Sequence, residues 1–208
     1  MASNLWPEAK YSFCVIDFSL DGTSASFQLV ARQLKNAQVR EELTLTQIPA
    51  PSKLAKETLA FAADVASEHV HDHTDAGTGR LVIMYEPQPQ EQWGGKLRVV
   101  AFAKSPLETT IGADEEISEV AWAWLMEALQ NRGAEFSHEA ATVTRVISTG
   151  YGSLAEQGDH AELEMRASWS PIGDLAPHFE AWEDLVCMMS GYPLLPQSVT
   201  ALHGRKSR

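Results

Sequence analysis

Cysteine is nearly absent from this sequence: Cys14 and Cys187 are the only two in 208 residues. They lie far apart and have no metal-type spacing, so neither a disulfide framework nor a zinc ribbon holds the chain together. Such sparing use suits a reducing compartment, with a single disulfide between the two as the open alternative. Basic residues are also in deficit, since 16 Lys and Arg stand against 28 Asp and Glu, a formal charge of -12. A phosphate polyanion would be repelled at long range, which argues against direct nucleic-acid binding. No apolar run approaches the roughly 20 residues needed to cross a bilayer. The opening MASNLWPEAKYSFCVIDFSL has neither a basic leader nor a continuous apolar stretch, so it is not a secretory signal. The expectation is a cytoplasmic protein with no membrane partner. A Gly-rich strand-to-helix turn, a phosphate loop and an internal repeat are missing too, and no cofactor is implied.

The sequence does have enough apolar material for one ordinary domain: 44% of its residues are hydrophobic, and a chain of this length buries a core without metals or cross-links. The clearest stretch is 141–172, which reads ATVTRVIST, a turn-rich GYGSLAEQGDH, then AELEMRASWSPI. Leu163, Met165, Ala167 and Trp169 share one parity, and Glu162, Glu164, Arg166 and Ser168 the other. That period of two predicts two half-buried antiparallel strands joined by a loop.

The other elements are placed around this pair. Residues 12–20 (SFCVIDFSL) read as a short strand before the Asp21-Gly22 turn. Ser24 or Ser26 can cap a helix carrying Phe27, Val30, Ala31 and Leu34 on one stripe. Residues 42–48 alternate as an edge strand stopped by Pro49 and Pro51. Residues 54–67 suit a helix by their alanines, yet Leu59, Phe61, Ala63 and Val65 alternate, so a strand from Thr58 is preferred. Residues 80–85 and 97–103 are apolar at nearly every position, which predicts strands covered on part of both faces, with EPQPQEQWGGK as their hairpin loop. Residues 115–131 form the clearest helix, capped by Asp114 and stopped by Gly133, with Ile117, Ala121, Trp124, Leu125, Ala128 and Leu129 on its apolar face. A last helix spans about 175–190 with His178, Phe179, Trp182, Leu185, Val186 and Met189 inward. The predicted class is α+β, a mainly antiparallel sheet of about five strands flanked by three helices. Residues 24–196 make the single domain, preceded by an extension over 1–23 and followed by a flexible basic tail over 197–208.

Several pieces also match a known pattern: TLTQIPAPSKLA (44–55), TGRLVIMYEP (78–87), Trp93-Gly94 before KLRVVAFA, EVAWAWLMEAL (119–129), TVTRVIST with the Gly-Tyr-Gly after it, ELEMRASWSPI (162–172) and HFEAWEDLVCMMSGYPLLP (178–196). In this combination the chain from about Phe27 to Leu195 resembles an actinobacterial family catalogued as domain of unknown function 3000. The resemblance implies relatives and not a chemistry, since that family carries no established activity or site. Residues 1–23 and the histidines near position 70 depart from its pattern. The element order is also similar to that of the small type III secretion chaperones, which have a curved antiparallel sheet with three helices and usually dimerise. Likeness of fold does not carry function.

Four groups of residues are candidates for a site. His69, His71 and His73, with Asp72 among them, have metal-ligand chemistry, and on an extended segment the three imidazoles would point one way. No further ligand set follows, and a solvated loop is the plainer reading. Arginines fall about once per strand at Arg80, Arg98, Arg145 and Arg166. In aligned registers some would converge on one sheet face and grip a carboxylate or phosphate through paired N–H groups. Arg98, Arg145 and Arg166 are the ligand-binding candidates, against cross-strand pairing with Glu162, Glu164, Asp64 or Glu86. Trp122, Trp124, Met126 and Trp182 either line a groove for a partner or fill the core. His178 near Glu180 and Asp184 suggests a general base, but no nucleophile accompanies it, because GYGSLAEQG is not a Gly-x-Ser-x-Gly elbow. No catalytic residue is assigned. The expected function is a non-enzymatic, chaperone-like module that binds a protein segment or itself. The alternative is a small-molecule or metal-dependent enzyme that uses the strand arginines or the histidine loop.

Overall fold

The computed structural model describes residues 11–12, 16–51, 53–66 and 77–194. Along them run β1 (Tyr11–Ser12), α1 (Ala25–Ala31), β2 (Val39–Arg40), β3 (Leu43–Ile48), β4 (Glu57–Val65), β5 (Thr78–Gln90), β6 (Gly95–Leu107), α2 (Thr109–Ala113), α3 (Ile117–Asn131), β7 (Glu135–Ser148), β8 (His160–Ile172) and α4 (Ala176–Met189). Six strands form one antiparallel sheet in the order β3-β4-β5-β6-β8-β7, and β1 pairs with β2 apart from it. The fold is α+β and mainly antiparallel, with one more strand in the main sheet and one more helix than the sequence pattern shows.

Strand parity sets the two faces. Register brings Phe61, Leu81, Ala101, Ala167 and Ala141 into one row, and odd-numbered neighbours such as Leu59, Ile83, Val99, Leu163, Met165 and Trp169 are buried with most of them. The helices pack on this odd face. Phe61 meets Phe179 of α4 edge-on at 5.1 Å between centroids, and Phe27 of α1 stacks on Tyr85 at 5.5 Å. Gly79 marks the closest approach of α4, where an added Cβ would stand 2.4 Å from Val186 Cγ2. The even face carries Val82, Val100 and Phe102, all half-buried and outside the core cluster. Among the described residues the helices leave that face open, so the apolar even positions of β5 and β6 shelter one another and are not covered by a second layer.

Local chemistry explains the element ends. Ser24 caps α1 by accepting the Phe27 N–H at 3.3 Å. The Glu57 carboxylate accepts both the N–H and the O–H of Ser24, at 2.7 and 2.6 Å, fixing the start of α1 to β4. Asp114 accepts the Glu116 N–H at 3.0 Å in the turn ahead of α3, whose N-cap position is Glu116. Gly133 stops α3 at φ 65°. Of the strand expected over 12–20, Ser12 belongs to β1 and 16–20 are irregular. β5 and β6 instead run on into the Pro-rich segment, leaving Glu91–Trp93 and Gly94 as the turn. Pro87 and Pro89 are tolerated there because pairing skips from Tyr85 to Gln90. β7 starts at Glu135 because a bulge between Ser137 and Ala140 breaks the alternation. No helix among the described residues is long and apolar enough to cross a membrane.

Candidate functional site

The even face gathers three of the four strand arginines. Arg80, Phe102 and Arg166 stand side by side on β5, β6 and β8, and the Arg166 guanidinium lies 5.8 Å from the Phe102 ring centroid. Arg80 pairs with Asp64 at 3.3 Å, Lys104 with Glu162 at 2.8 Å and Arg166 with Glu164 at 3.5 Å. Arg80–Asp64 is a cross-strand pair of the kind the sequence offered as the alternative to a ligand, while Arg166 pairs along its own strand and Lys104 takes Glu162. Arg98 is held differently, by the His138 carbonyl at 2.7 Å and the Ser170 and Ser168 hydroxyls at 3.1 and 2.6 Å. Burial lowers its pKa. Arg145 belongs to the odd face, pairing with Leu163, and donates to the carbonyls of Asp114 and Ala113 at 2.9 and 3.4 Å at the end of α2. The four arginines therefore do not form one constellation.

A second cluster, absent from the sequence reading, lies deep between β2, α3 and α4. Asp184 accepts from Arg40 at 3.0 Å and from Arg132 at 2.5 and 2.9 Å. Arg40 also grips Glu42 with two hydrogen bonds of 2.7 and 3.0 Å and reaches the Pro193 carbonyl at 3.2 Å. Arg132 extends the network to Glu180 at 3.1 Å, and Glu180 accepts the Gln38 N–H at 2.8 Å. Burial raises the Glu180 pKa. Glu183 is fully buried, with both carboxylate oxygens unpartnered among the described residues. Burial, then the negative charges of Asp184 and Glu180, push its pKa well above the ordinary carboxyl value and favour the protonated form. The available signal was the run EAWEDLV, whose carboxylates at Glu180, Glu183 and Asp184 share one face of an otherwise apolar helix. Such a network orders its elements, since each arginine is held between two carboxylates and Asp184 is shared by both.

The aromatic candidates divide by burial. Trp182 is wholly buried and donates to the Phe102 carbonyl at 3.4 Å. Trp122, Trp124 and Met126 are half-buried and pack on the core edge. At helical spacing, Trp122 and Met126 lie on one flank of α3 and Trp124 with Val120 on the other, so they make no continuous groove. His178 is buried and faces Trp169, with burial lowering its pKa to about 4. His69, His71, Asp72 and His73 lie outside the described residues. Among the described residues no group of three His, Cys, Asp or Glu is placed to hold a metal ion. An open recess beside α1, lined by Phe18, Leu20, Asp21, Gln28, Arg32 and Lys35, contains none of the candidates.

Four exposed apolar residues stand at one end of the sheet. Ile147 of β7 is 51% exposed, and Tyr151 and Leu154 follow it in the connection to β8 at 80% and 52%. Ile111 is exposed beside Gly112, which touches Ala161, the partner of Ile147. Half of the eight large apolar residues exposed among the described residues thus surround the C-terminal end of the edge strand.

Neither a curated protein nor a solved structure matches the chain, so the likeness to secretion chaperones rests on element order alone. Residues 23–200 match the family described as Protein of unknown function (DUF3000). That span takes in the whole main sheet, the buried ionic network and the edge strand, and the chain belongs to the DUF3000 family.

Proposed function

We propose that this protein is a non-enzymatic interaction module whose docking strand is β7 and whose partner is a second copy of the same chain. The observation that carries the reading is the contrast between the two sheet edges. At one edge β3 has six residues, and its Gln47 side chain bonds both the N–H and the carbonyl of Ser19, at 2.7 and 3.0 Å. At the other, β7 has fourteen residues, with Ala140, Ala141 and Thr142 exposed and the apolar rim of Ile111, Ile147, Tyr151 and Leu154 beside it. A long bare edge offers unpaired backbone groups to another strand.

A second copy fits because the edge is self-complementary. The uninterrupted ladder from 140 to 148 centres on Thr144, so a two-fold axis there sets Val143 opposite Arg145, Thr142 opposite Val146 and Ala141 opposite Ile147. No two like charges face each other, which matters for two chains of formal charge -12. An inward-facing charge often guards an edge strand, but Arg145 turns its Nη1 onto the carbonyls at the end of α2. A cytoplasmic setting suits the buried free thiol of Cys187.

Sedimentation velocity of the full chain over a range of micromolar concentrations tests the reading. The wild type is expected to be a dimer, and Thr144→Lys, which sets two ammonium groups on the axis, a folded monomer by circular dichroism. A wild type that stays monomeric at the highest concentration, or a dimer that survives Thr144→Lys and Val146→Lys, overturns it.

A further inference from the structure

The geometry points to a binding site for one oxyanion, a carboxylate or a phosphate group, at Arg98 on the open even face. The site is separate from the β7 edge and does not depend on it. Elsewhere on this face Arg80, Lys104 and Arg166 each stand beside a carboxylate. Arg98 has only neutral oxygens around it, the His138 carbonyl and the Ser168 and Ser170 hydroxyls. A guanidinium carries five N–H groups. Nη1 spends two on His138 and Ser170 and Nη2 one on Ser168, so Nε and one Nη2 hydrogen are uncommitted among the described residues. A partly desolvated cation without a counter-charge gains most from an anion delivered to it.

The surroundings hold Arg98 in place for that task. His138 sits in the β7 bulge at φ 56°, a left-handed backbone that a histidine adopts only at a cost, and this bend aims its carbonyl at Arg98. Gly94 in the β5–β6 turn makes room for the His138 ring, since a Cβ there would lie 2.5 Å from Cε1. Ser170 is buried and Ser168 half-buried. Each accepts from Arg98 and so keeps its own O–H to donate. Two guanidinium N–H groups therefore remain for a planar or tetrahedral oxyanion, with the Ser168 hydroxyl beside Nη2 as a further donor.

The test is an NMR titration of the full chain, following the Arg98 Nε–H and the His138 and Ser168 amides. One arm adds sodium acetate and the other inorganic phosphate, both at constant ionic strength. Saturable shifts confined to these groups are expected in at least one arm, and the better arm tells carboxylate from phosphate. Arg98→Lys keeps the charge but loses the fork, and is expected to weaken binding about tenfold or more; Arg166→Gln leaves it unchanged. Shifts absent in both arms up to tens of millimolar, or equal shifts at Arg166, overturn the proposal, whatever the oligomeric state.

Discussion

The indole Nε1 of Trp169 donates to Nδ1 of His178 at 3.1 Å, tying β8 to the buried helix α4. The bond fixes the tautomer: Nδ1 is the acceptor, so the ring hydrogen sits on Nε2 and the imidazole is neutral. Protonation would set a second donor against the indole N–H inside a site with no water-exposed surface. Burial accordingly holds the His178 pKa at about 4, with the Ile172 carbonyl and Asp174 opposing the shift only in part.

This bond makes stability depend on pH with a definite sign. Between pH 6.5 and about 4 the unfolded chain binds a proton at His178 that the folded chain refuses. Stability therefore falls as pH drops through that window, by about 3 kcal/mol from this one group. Urea unfolding at closely spaced pH values is expected to show the slope in wild type and its loss in His178→Gln. Equal slopes in the two proteins would rule the assignment out.

Glu183 acts in the opposite direction. Its folded carboxyl holds its proton well above pH 4.5, while the unfolded one ionises there, so it lowers stability as pH rises. Glu183→Gln keeps shape and neutrality. Its melting temperature should match wild type in acid and exceed it increasingly toward neutral pH, and a constant difference would refute the protonated state.

Asp184→Ala removes the anion that two guanidiniums share. Arg40 is wholly buried and Arg132 nearly so; each keeps a second carboxylate, Glu42 or Glu180, so the lost charge-assisted hydrogen bonds are expected to cost about 2–3 kcal/mol. Arg80→Gln breaks a pair whose side chains are 42% and 56% exposed, and is expected to shift stability by no more than about 0.5 kcal/mol. Chemical denaturation of both variants distinguishes a buried hub from a surface pair.

Gly79→Ala tests the closeness of α4 to the sheet. The new methyl would meet Val186 at 2.4 Å and Trp182 at 3.1 Å, so overpacking should cost about 1–3 kcal/mol. Gly95→Ala, with nothing within 4 Å of its Cβ, serves as the near-neutral control in the same thermal scan.

Alternation made the sheet legible in the sequence. Leu163 to Trp169 fixed the faces of β8, and Leu59 to Val65 identified β4 against its alanine-rich helical look, because burial on one face needs a period of two. What failed to show has physical reasons as well. The His138 bulge hid the first part of β7, and five residues of α2 are too few to display a period. The arginines looked alike in sequence, but parity sends Arg145 to the face opposite Arg98. The buried network joins Arg40 and Asp184 across 144 positions, a distance no local pattern spans. Trp124 was placed on the inner side of α3 by its spacing, yet its bulk carries it only half under cover.

α4 is enclosed on nearly all sides, and it is the last of these elements to be synthesised. A ribosome must therefore release all six strands of the main sheet before the segment that roofs them emerges. During that interval Phe61, Leu81 and Met165 have no lid, and the nascent chain is sticky until residues 176–189 clear the exit tunnel. Its need for protection is greatest in those seconds of translation.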